Sequence, residues 1–169
     1  NYWWEVTDKN GMGFFYGGLP ESGLINDAVL AESSGGHIFR WALTQMRDTF
    51  GNTVDYEYAQ VEDSGTGGGT AGVQGTQVYI KTIYYTGTVG TPGPYSVNFI
   101  RDRELSEARR PDVSIDARAG FKVVTADLLR KIEIKLENTL IRSYEFEYQS
   151  GGFEKTLLQA VIQYGQDGQ

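Results

Sequence analysis

The residue of this sequence best suited to acid–base chemistry is His37, its only histidine, which follows Ser33 and Ser34 by a few positions. Hydrolysis by a Ser-His-Asp triad needs a serine beside the histidine and an acid that orients the ring. Both serines lead into a glycine turn and lack the pattern of a nucleophile elbow. Zinc would need three carboxylates besides this histidine, because the chain has no cysteine. We therefore predict a turn or strand-edge histidine, and no catalytic residue, metal or cofactor.

Two aspartates, Asp8 and Asp48, begin the stretches DKNG and DTFGN, which invite comparison with calcium loops. An EF-hand-like loop needs more oxygen ligands than either stretch offers, including a distal bidentate glutamate. An Asx turn accounts for both stretches, because an aspartate side chain bonds the backbone two residues on and glycine supplies a positive φ. We predict structural turns at both places.

Aromatic side chains could bind sugar rings by stacking, and Trp3, Trp4 and Trp41 are the candidates for such a platform. On alternating strands, however, aromatic residues usually belong to the core or to cross-strand pairs. A packing role is therefore the prediction, and glycan binding through the three tryptophans is the alternative.

The composition indicates an all-β protein, because the 169 residues include 22 glycines for turns and 11 tyrosines and 8 phenylalanines for pleated surfaces. The net charge of −7 argues against nucleic acid, whose binding depends on neutralising phosphates. No apolar run approaches 18 residues, so we predict no membrane span. The start lacks both a methionine and a signal-like stretch, so we interpret residues 1–169 as a single β-rich domain or a fragment of a larger protein.

A repeat positions the two aspartate turns, because WEVTDKNGMGFFY aligns with TQMRDTFGNTVDY at a constant offset of 40. Gly11 then falls on Gly51, and Tyr16 falls on Tyr56. Each unit is an alternating strand, an Asp-x-x-Gly turn and a return strand that ends on tyrosine. Period-2 alternation is typical of strands with one buried face. We therefore predict two copies of one antiparallel hairpin.

Further units follow a looser version of this pattern. In residues 129–148, Asn138 lies in the turn, and Tyr144, Phe146 and Tyr148 alternate on the return strand. The C-terminal LLQAVIQYGQDGQ has the form of an outgoing strand cut at its Asp-Gly turn. The predicted hairpin units lie at about 3–17, 37–58, 78–100 and 128–148, with the start of another at 157–169.

The segments between the hairpins carry weaker signals. Residues 37–46 are predicted as the single outgoing strand of the second hairpin, and 62–75 as a flexible glycine-rich loop. Residues 101–116 are densely charged and do not alternate, which indicates a long surface excursion with one helical turn. Thr125 could cap a short helix, but the alternation from Arg130 onward favours a strand.

The turn Asp-x-x-Gly-Asn followed by Tyr56-x-Tyr58 resembles the hairpin of Rhs, or YD, repeats. The wider chain resembles the shell region of the B component of insecticidal toxin complexes, which is related to the Salmonella virulence plasmid B protein. Short segments carry this resemblance in the family's order: WEVTDKNG, HIFRWALTQMRDTFGNTVDYEY, IKTIYYTG, RPDVSIDARAGFKV, LLRKIEIKL, YEFEY and LLQAVIQYGQDG. Residues 12–36 and 62–75 match less well.

The resemblance implies a structural role and a set of partners. In such proteins this segment belongs to a β-sheet shell that, with a C-type component, encloses a toxic polypeptide. A β-propeller and Rhs repeats follow in the same polypeptide, and the proteins are secreted or lie at the bacterial cell surface. Repeated hairpins suit a container wall, since each buries one face against its neighbours and extends the sheet. The outer strands would then be sheet edges that pair with further strands.

Some relatives of this family carry an ADP-ribosyltransferase domain that uses a Glu-x-Glu pair, and Glu145 and Glu147 form such a pair here. Two positions apart on a strand, their carboxylates face the same way. The alternating Tyr144, Phe146 and Tyr148 predict instead that the glutamates form the solvated face of that strand. The upstream arginine and the Ser-Thr-Ser strand of the transferase fold are missing, so an enzyme is the third hypothesis.

Together these patterns predict an all-β fold of antiparallel hairpin repeats in a curved or stacked sheet, with long glycine-rich and charged surface loops. The predicted function is a non-catalytic shell segment of a large secreted toxin-complex or Rhs-type protein that encloses or presents a toxic polypeptide. A cell-surface binding module for glycans is the alternative. The residues predicted to form turns and repeats are Asp8, Gly11, Tyr16, Asp48, Gly51, Asn52, Tyr56, Tyr58, Tyr144 and Tyr148.

Overall fold

The computed structural model describes residues 2–32, 36–66 and 72–167. Within these ranges the chain forms β-strands and two single-turn 3-10 helices, Asn26–Ala28 and Gly152–Glu154, and no α-helix, which confirms the all-β prediction. The strands are β1 (Trp4–Thr7), β2 (Gly13–Tyr16), β3 (Gly18–Leu19), β4 (Gly23–Leu24), β5 (Val29–Ala31), β6 (Ile38–Trp41), β7 (Leu43–Arg47), β8 (Asn52–Asp63), β9 (Gly75–Thr88), β10 (Tyr95–Arg101), β11 (Ser114–Asp116), β12 (Val123–Thr125), β13 (Leu129–Leu136), β14 (Thr139–Ser150) and β15 (Thr156–Tyr164).

Most of these strands belong to one open sheet. Its strands lie in the order β1-β2-β7-β8-β9-β10-β13-β14-β15, and each neighbouring pair is antiparallel. β11 and β12 pair with each other and join β9 through a parallel bridge between Val123 and Thr76. The hairpins β3–β4 and β5–β6 lie outside this sheet. The outer strands of the sheet are therefore β1 and β15.

One face of the sheet carries a continuous apolar row across seven neighbouring strands. Residues that pair directly across strands point to the same face. The register from β1 to β13 forms what we call the apolar row: Val6, Phe14, Met46, Val54, Tyr85, Tyr95 and Leu136. Its two end residues are exposed and the five between them are half-buried. The rings of Tyr85 and Tyr95 stack, with centroids 5.2 Å apart.

The opposite face is more polar, although it also includes the buried Phe15, and side-chain hydrogen bonds connect its residues. Asp55 accepts bonds from Gln45 Nε2 at 2.6 Å and from Thr53 Oγ1 at 2.9 Å. On β10, Asn98 Nδ2 donates to Ser96 Oγ at 3.0 Å. Buried polar groups require partners of this kind. The two faces thus differ as the period-2 pattern of the sequence predicts.

The best-packed core lies where other elements cover β8 and β9. Leu30 of β5, Val78 of β9 and Val123 of β12 are buried against one another. The partly buried residues that pack on this cluster are Tyr58, Ala119 and Phe121. The core is therefore at one end of the long strands, and most of the apolar row lies outside it.

The prediction of one strand over residues 37–46 is wrong, because the chain changes sheets at Ala42. β6 pairs with β5, whereas β7 lies in the main sheet. The Ala42 N–H donates to Ala28 O at 2.8 Å, and its carbonyl accepts from Gly17 N at 2.7 Å. These two bonds come from segments distant in sequence, so the local alternation of residues 37–46 did not reveal them.

The segment 101–116 is mostly the surface excursion that its charge indicated, because residues 103–109 are exposed, but its two ends differ. Arg101 and Asp102 are only 5% and 3% exposed, and Ser114–Asp116 forms β11. A hydrogen-bonded turn does form at its start, where Glu104 N donates to Arg101 O at 3.1 Å. Arg101 forms ion pairs with Glu104 and Asp127, and Asp102 accepts backbone hydrogen bonds, which makes burial of these charges possible.

No helix follows Thr125, which instead ends β12. The backbone N–H groups of Ala126 and Asp127 donate to Tyr79 Oη at 3.1 and 3.2 Å, and Leu128 N donates to Asp102 Oδ1 at 3.0 Å. Side chains from other elements therefore satisfy these backbone donors.

Two predictions reach beyond the described residues. Ser33 and Ser34 lie outside them, as does the middle of the predicted glycine-rich loop, residues 67–71. The ends of that predicted loop belong to strands, since β8 extends to Asp63 and β9 begins at Gly75.

Candidate functional site

The two repeated turns have the same hydrogen bonds. Asp8 Oδ1 accepts from the N–H groups of Asn10 and Met12, at 2.8 and 3.0 Å. Asp48 Oδ1 accepts in the same way from the residues two and four positions on, at 2.9 and 2.8 Å. In each turn the glycine N–H donates to the backbone oxygen of the aspartate. The turns are Asx turns, as the residue types indicate.

The glycines of these turns adopt a backbone conformation that other residues avoid. Gly11 has φ +84° and Gly51 has φ +85°. At Gly51 the turn has a further bond, because Asn52 Nδ2 donates to Asp48 Oδ2 at 2.7 Å. That side chain, together with backbone N–H groups, holds the pKa of the Asp48 carboxyl below its usual value. The third hairpin differs, since only Glu137 and Asn138 separate β13 from β14.

Two of the predicted tyrosines fix the far ends of their hairpins. Tyr58 Oη donates to the backbone oxygen of Leu43 at 2.8 Å, and Tyr148 Oη donates to that of Leu129 at 2.7 Å. Leu43 and Leu129 are the first residues of β7 and β13. Burial raises the pKa of Tyr58 to about 12 and also raises that of Tyr148. Both hydroxyls are therefore uncharged donors at neutral pH.

The other predicted tyrosines make different contacts. Tyr56 Oη lies 3.2 Å from the Sδ atom of Met46, which belongs to the apolar row. Tyr16 pairs with Trp4 across β1 and β2, and Tyr144 pairs with Ile132 across β13 and β14. Their rings are half-buried.

The structure brings two of the three tryptophans together and separates the third. The indole rings of Trp4 and Trp41 meet edge to face, with their centroids 5.9 Å apart. The ring centroid of Tyr2 lies 5.3 Å from that of Trp4 and 5.2 Å from that of Trp41. Trp41 Nε1 donates to Tyr2 O at 2.8 Å. Trp3 instead lies 6.2 Å from Phe15. Tyr2 and Trp4 are 56% and 50% exposed, so this aromatic cluster is open to solvent.

The residues of the catalytic alternatives are dispersed. Glu145 lies 3.6 Å from Lys131 Nζ, and Glu147 is exposed. His37 Nδ1 is 3.3 Å from Glu32 Oε2. Within the described residues no three metal-ligating side chains form a cluster. No helix in the described part of the chain is long and apolar enough to cross a membrane.

A cluster of ion pairs, which the sequence analysis missed, holds the segment after β10 against the sheet. Arg103 donates to both oxygens of Asp127 at 2.8–3.0 Å and to Asp63 at 3.1 Å. Arg109 donates to Asp63 at 2.6 Å, and Arg101 lies 3.3 Å from Asp127. The Asp127 carboxylate raises the pKa of Arg103. The density of alternating charge in residues 101–110 was the available signal for this cluster.

Asp112 connects the same segment to the last strand. It accepts from Arg110 Nε at 2.8 Å, from Thr156 Oγ1 at 2.5 Å and from Thr156 N at 3.1 Å. Bonds from Arg110 and then Thr156 hold the pKa of the Asp112 carboxyl well below its usual value. Because Thr156 is the first residue of β15, Asp112 positions the start of that strand.

The two outer strands of the sheet differ in length and charge. β1 has four residues and includes Glu5, whereas β15 has nine residues and no charged side chain. On β15, Leu157, Leu158 and Val161 are 46%, 53% and 51% exposed. A long, uncharged edge strand is a ready template for pairing with another strand. β15 is therefore the edge at which the sheet can be extended.

A family model agrees with this architecture. The model of the Salmonella virulence plasmid 65kDa B protein family, SpvB, matches residues 1–108. The chain belongs to this family. The resemblance to the Salmonella virulence plasmid B protein, stated from the sequence, is thereby confirmed. Among curated protein sequences none matches the chain.

Solved structures share the fold of this SpvB-family chain at low identity. The N-terminal domain of effector protein SpvB from Salmonella typhimurium strain LT2 superposes with a TM-score of 0.77 at 18% identity, over 96% of this chain and 61% of that one. The TcdB2-TccC3-Cdc42 crystal structure and the Photorhabdus luminescens Tc holotoxin pore each superpose with a TM-score of 0.74 at 18% identity. Each match covers 98% of this chain and 10% of the other. The chain therefore spans about three fifths of the SpvB structure and a tenth of the Tc chains.

Proposed function

We propose that this chain is a non-catalytic wall segment of a β-sheet shell, within a larger secreted toxin-type polypeptide that encloses or presents a toxic polypeptide. The observation that carries the proposal is the open sheet with its apolar row. A stand-alone sheet protein usually covers its apolar face with a second layer. Here the row is only half-buried, which suits a wall whose apolar face contacts other polypeptide.

The second support comes from β15. Because its exposed edge is nine residues long and uncharged, further strands of the same polypeptide can pair with it through backbone hydrogen bonds. Asp112 places the first residue of β15 and the cross-strand bonds to β14 set its register. The partners we propose are the remainder of this polypeptide, with its propeller and Rhs repeats, and a C-type toxin component.

The shell proposal is tested in the full-length protein that contains this chain, co-produced with its C-type component. The measurement is protection of the enclosed polypeptide from added protease. We expect protection in the unaltered complex and loss of it with Val161→Lys, because a charge on the β15 edge opposes strand addition. Ile141→Lys is the matched control, since Ile141 is an exposed bulge residue of the inner strand β14.

Two outcomes would contradict the proposal. One is a toxic polypeptide that is digested as fast in the unaltered complex as it is alone. The other is equal protection by Val161→Lys and Ile141→Lys, which would show that no strand needs the β15 edge.

A second candidate function is binding of glycans through the exposed cluster of Tyr2, Trp4 and Trp41. Aromatic rings that are half exposed offer faces for stacking against sugars. A glycan array probed with Trp4→Ala and Trp41→Ala tests this candidate, and Trp3→Ala is the control because Trp3 lies outside the cluster. Binding that is lost in the first two variants and kept in the third would favour the binding module over the shell.

A further inference from the structure

A cleft of about 420 Å³ lies between β6 and the hairpin β11–β12. Phe39 and Arg40 line it on the β6 side, and Ser114 and Asp116 line it on the β11 side. Its buried lining includes Leu30, which is 3% exposed, and Val123, at 9%. The volume lies within the range of small-ligand sites, which combine an apolar lining with a few polar groups.

The side chain of Gln77 joins the two sides of this cleft. Its Nε2 donates to Thr125 Oγ1 of β12 at 2.8 Å, and its Oε1 accepts from Arg40 Nη2 of β6 at 3.3 Å. Oε1 also accepts from Val78 N at 3.0 Å. The amide thus links strands of two separate hairpins, and the cleft is already formed without a ligand.

Phe39 has an unusual position on its strand. Arg40 pairs with Leu30, and Ile38 pairs with Ala31, which leaves Phe39 as the extra residue of a β-bulge. Bulges redirect side chains and are frequent next to functional sites. The ring of Phe39 is 53% exposed beside the cleft, so its face is available for contact.

The charge of the cleft is opposite to that of the whole chain. Arg40 pairs with no carboxylate among the described residues, and Arg118 pairs with Asp116, its Nε donating at 2.7 Å. Two arginines against one aspartate leave a positive cleft in a chain of net charge −7. Arginine binds carboxylates through paired N–H groups and also stacks on planar groups.

We propose that the cleft binds a short peptide segment in which an apolar side chain lies next to a carboxylate. The apolar side chain packs on Leu30, Val123 and the ring of Phe39. The carboxylate accepts hydrogen bonds from the guanidinium of Arg40, with Arg118 at the rim. Nothing in this proposal depends on the shell role, because the cleft lies outside both the apolar row and the β15 edge.

The test is an NMR titration of the ¹⁵N-labelled chain with N-acetyl-Phe-Glu-amide. The matched probe is N-acetyl-Phe-Gln-amide, which has the same shape without the charge. We expect chemical-shift changes at backbone amides of β6, β11 and β12, and a dissociation constant roughly tenfold larger for the glutamine peptide, as for loss of a charge-assisted hydrogen bond. Equal affinities of the two peptides would overturn the proposal, as would no shift in these strands at 10 mM peptide.

Variants of the protein locate the site. Arg40→Gln should weaken binding of the glutamate peptide about tenfold and leave the glutamine peptide unaffected. Arg142→Gln removes the same charge from an exposed arginine of β14 and should leave both affinities unchanged. Phe39→Ala should weaken the binding of both peptides. Because Phe39 is an exposed bulge residue, its replacement does not open the core. Glutamate-peptide binding that survives both Arg40→Gln and Phe39→Ala would place the peptide elsewhere and refute the assignment.

Discussion

Replacement of Gly51 tests the repeated turn, which is the unit of this sheet. A β-carbon added at Gly51 would lie 3.9 Å from Val89 Cγ2, an ordinary van der Waals contact. Steric collision therefore contributes little, and the cost of Gly51→Ala comes from the backbone. At φ +85° an L-residue is disfavoured by about 1–2 kcal/mol. Gly51→Val should cost more, because branching at Cβ tolerates positive φ worst.

The matched control is Gly152→Ala. No heavy atom lies within 4 Å of a β-carbon built there, and Gly152 is not in the left-handed region. Its effect should stay within about 0.5 kcal/mol, as for ordinary surface substitutions. The comparison thus separates a requirement for positive φ from the general effect of replacing a glycine.

Urea unfolding, followed by tryptophan fluorescence, measures the stability of all three variants. With a urea slope of about 2 kcal/mol/M, the Gly51→Ala midpoint should fall by roughly 0.5–1 M, and the Gly51→Val midpoint further. Equal midpoints for Gly51→Ala and Gly152→Ala would show that the turn does not require a left-handed glycine. The structural basis of the repeat would then be wrong.

Three other variants test the ion pairs and the glutamates. Arg103→Ala should lower the free energy of unfolding by about 2 kcal/mol in urea titrations, because it removes the main partner of the buried Asp127 carboxylate. An unchanged free energy of unfolding would show that Arg101 alone is enough to pair with Asp127. Asp112→Asn should lower hydrogen-exchange protection in β15 at pH 6. Because the Asp112 pKa is lowered by folding, its stabilisation is present above the unfolded value of about 3.9 and is lost as pH falls through the folded pKa. Protection in β15 should therefore drop on acidification in the unaltered chain and much less in the variant, and identical acid profiles would contradict this role. Glu145→Gln combined with Glu147→Gln should change stability by less than about 0.5 kcal/mol and remove no activity; NAD hydrolysis by the unaltered chain that this double variant loses would establish an enzyme.

The features that sequence predicted well are local. The Asp-x-x-Gly turns depend on hydrogen bonds within five residues, so the residue types at Asp48 and Gly51 are enough to predict the turn. The alternation of β13 and β14 likewise follows from one face being apolar.

The features that sequence missed depend on distant partners. The break at Ala42 is produced by bonds to Ala28 and Gly17, and the buried Asp127 carboxylate is paired with Arg103, 24 positions away. The cleft likewise exists because Gln77 links two hairpins. Periodicity within one segment contains no information about such contacts, so it does not predict the ion pairs that Arg101 and Arg103 form with Asp127.

The order of strands in the main sheet has a consequence for how the protein is made. Along the sheet path from β1 to β15, the strands lie in the order in which they are synthesised. Each new strand therefore pairs with the strand that precedes it on this path, and none is inserted between two earlier ones. Such a sheet can assemble vectorially as the chain emerges from a ribosome or a secretion channel, because domains and hairpins fold as units from the N-terminus. At every stage one growing edge is exposed. The long connections, residues 17–42 between β2 and β7 and 102–128 between β10 and β13, add little to the entropy cost because that cost rises only slowly with loop length. The shell wall that we propose would then begin to close around its polypeptide before synthesis of the chain has ended.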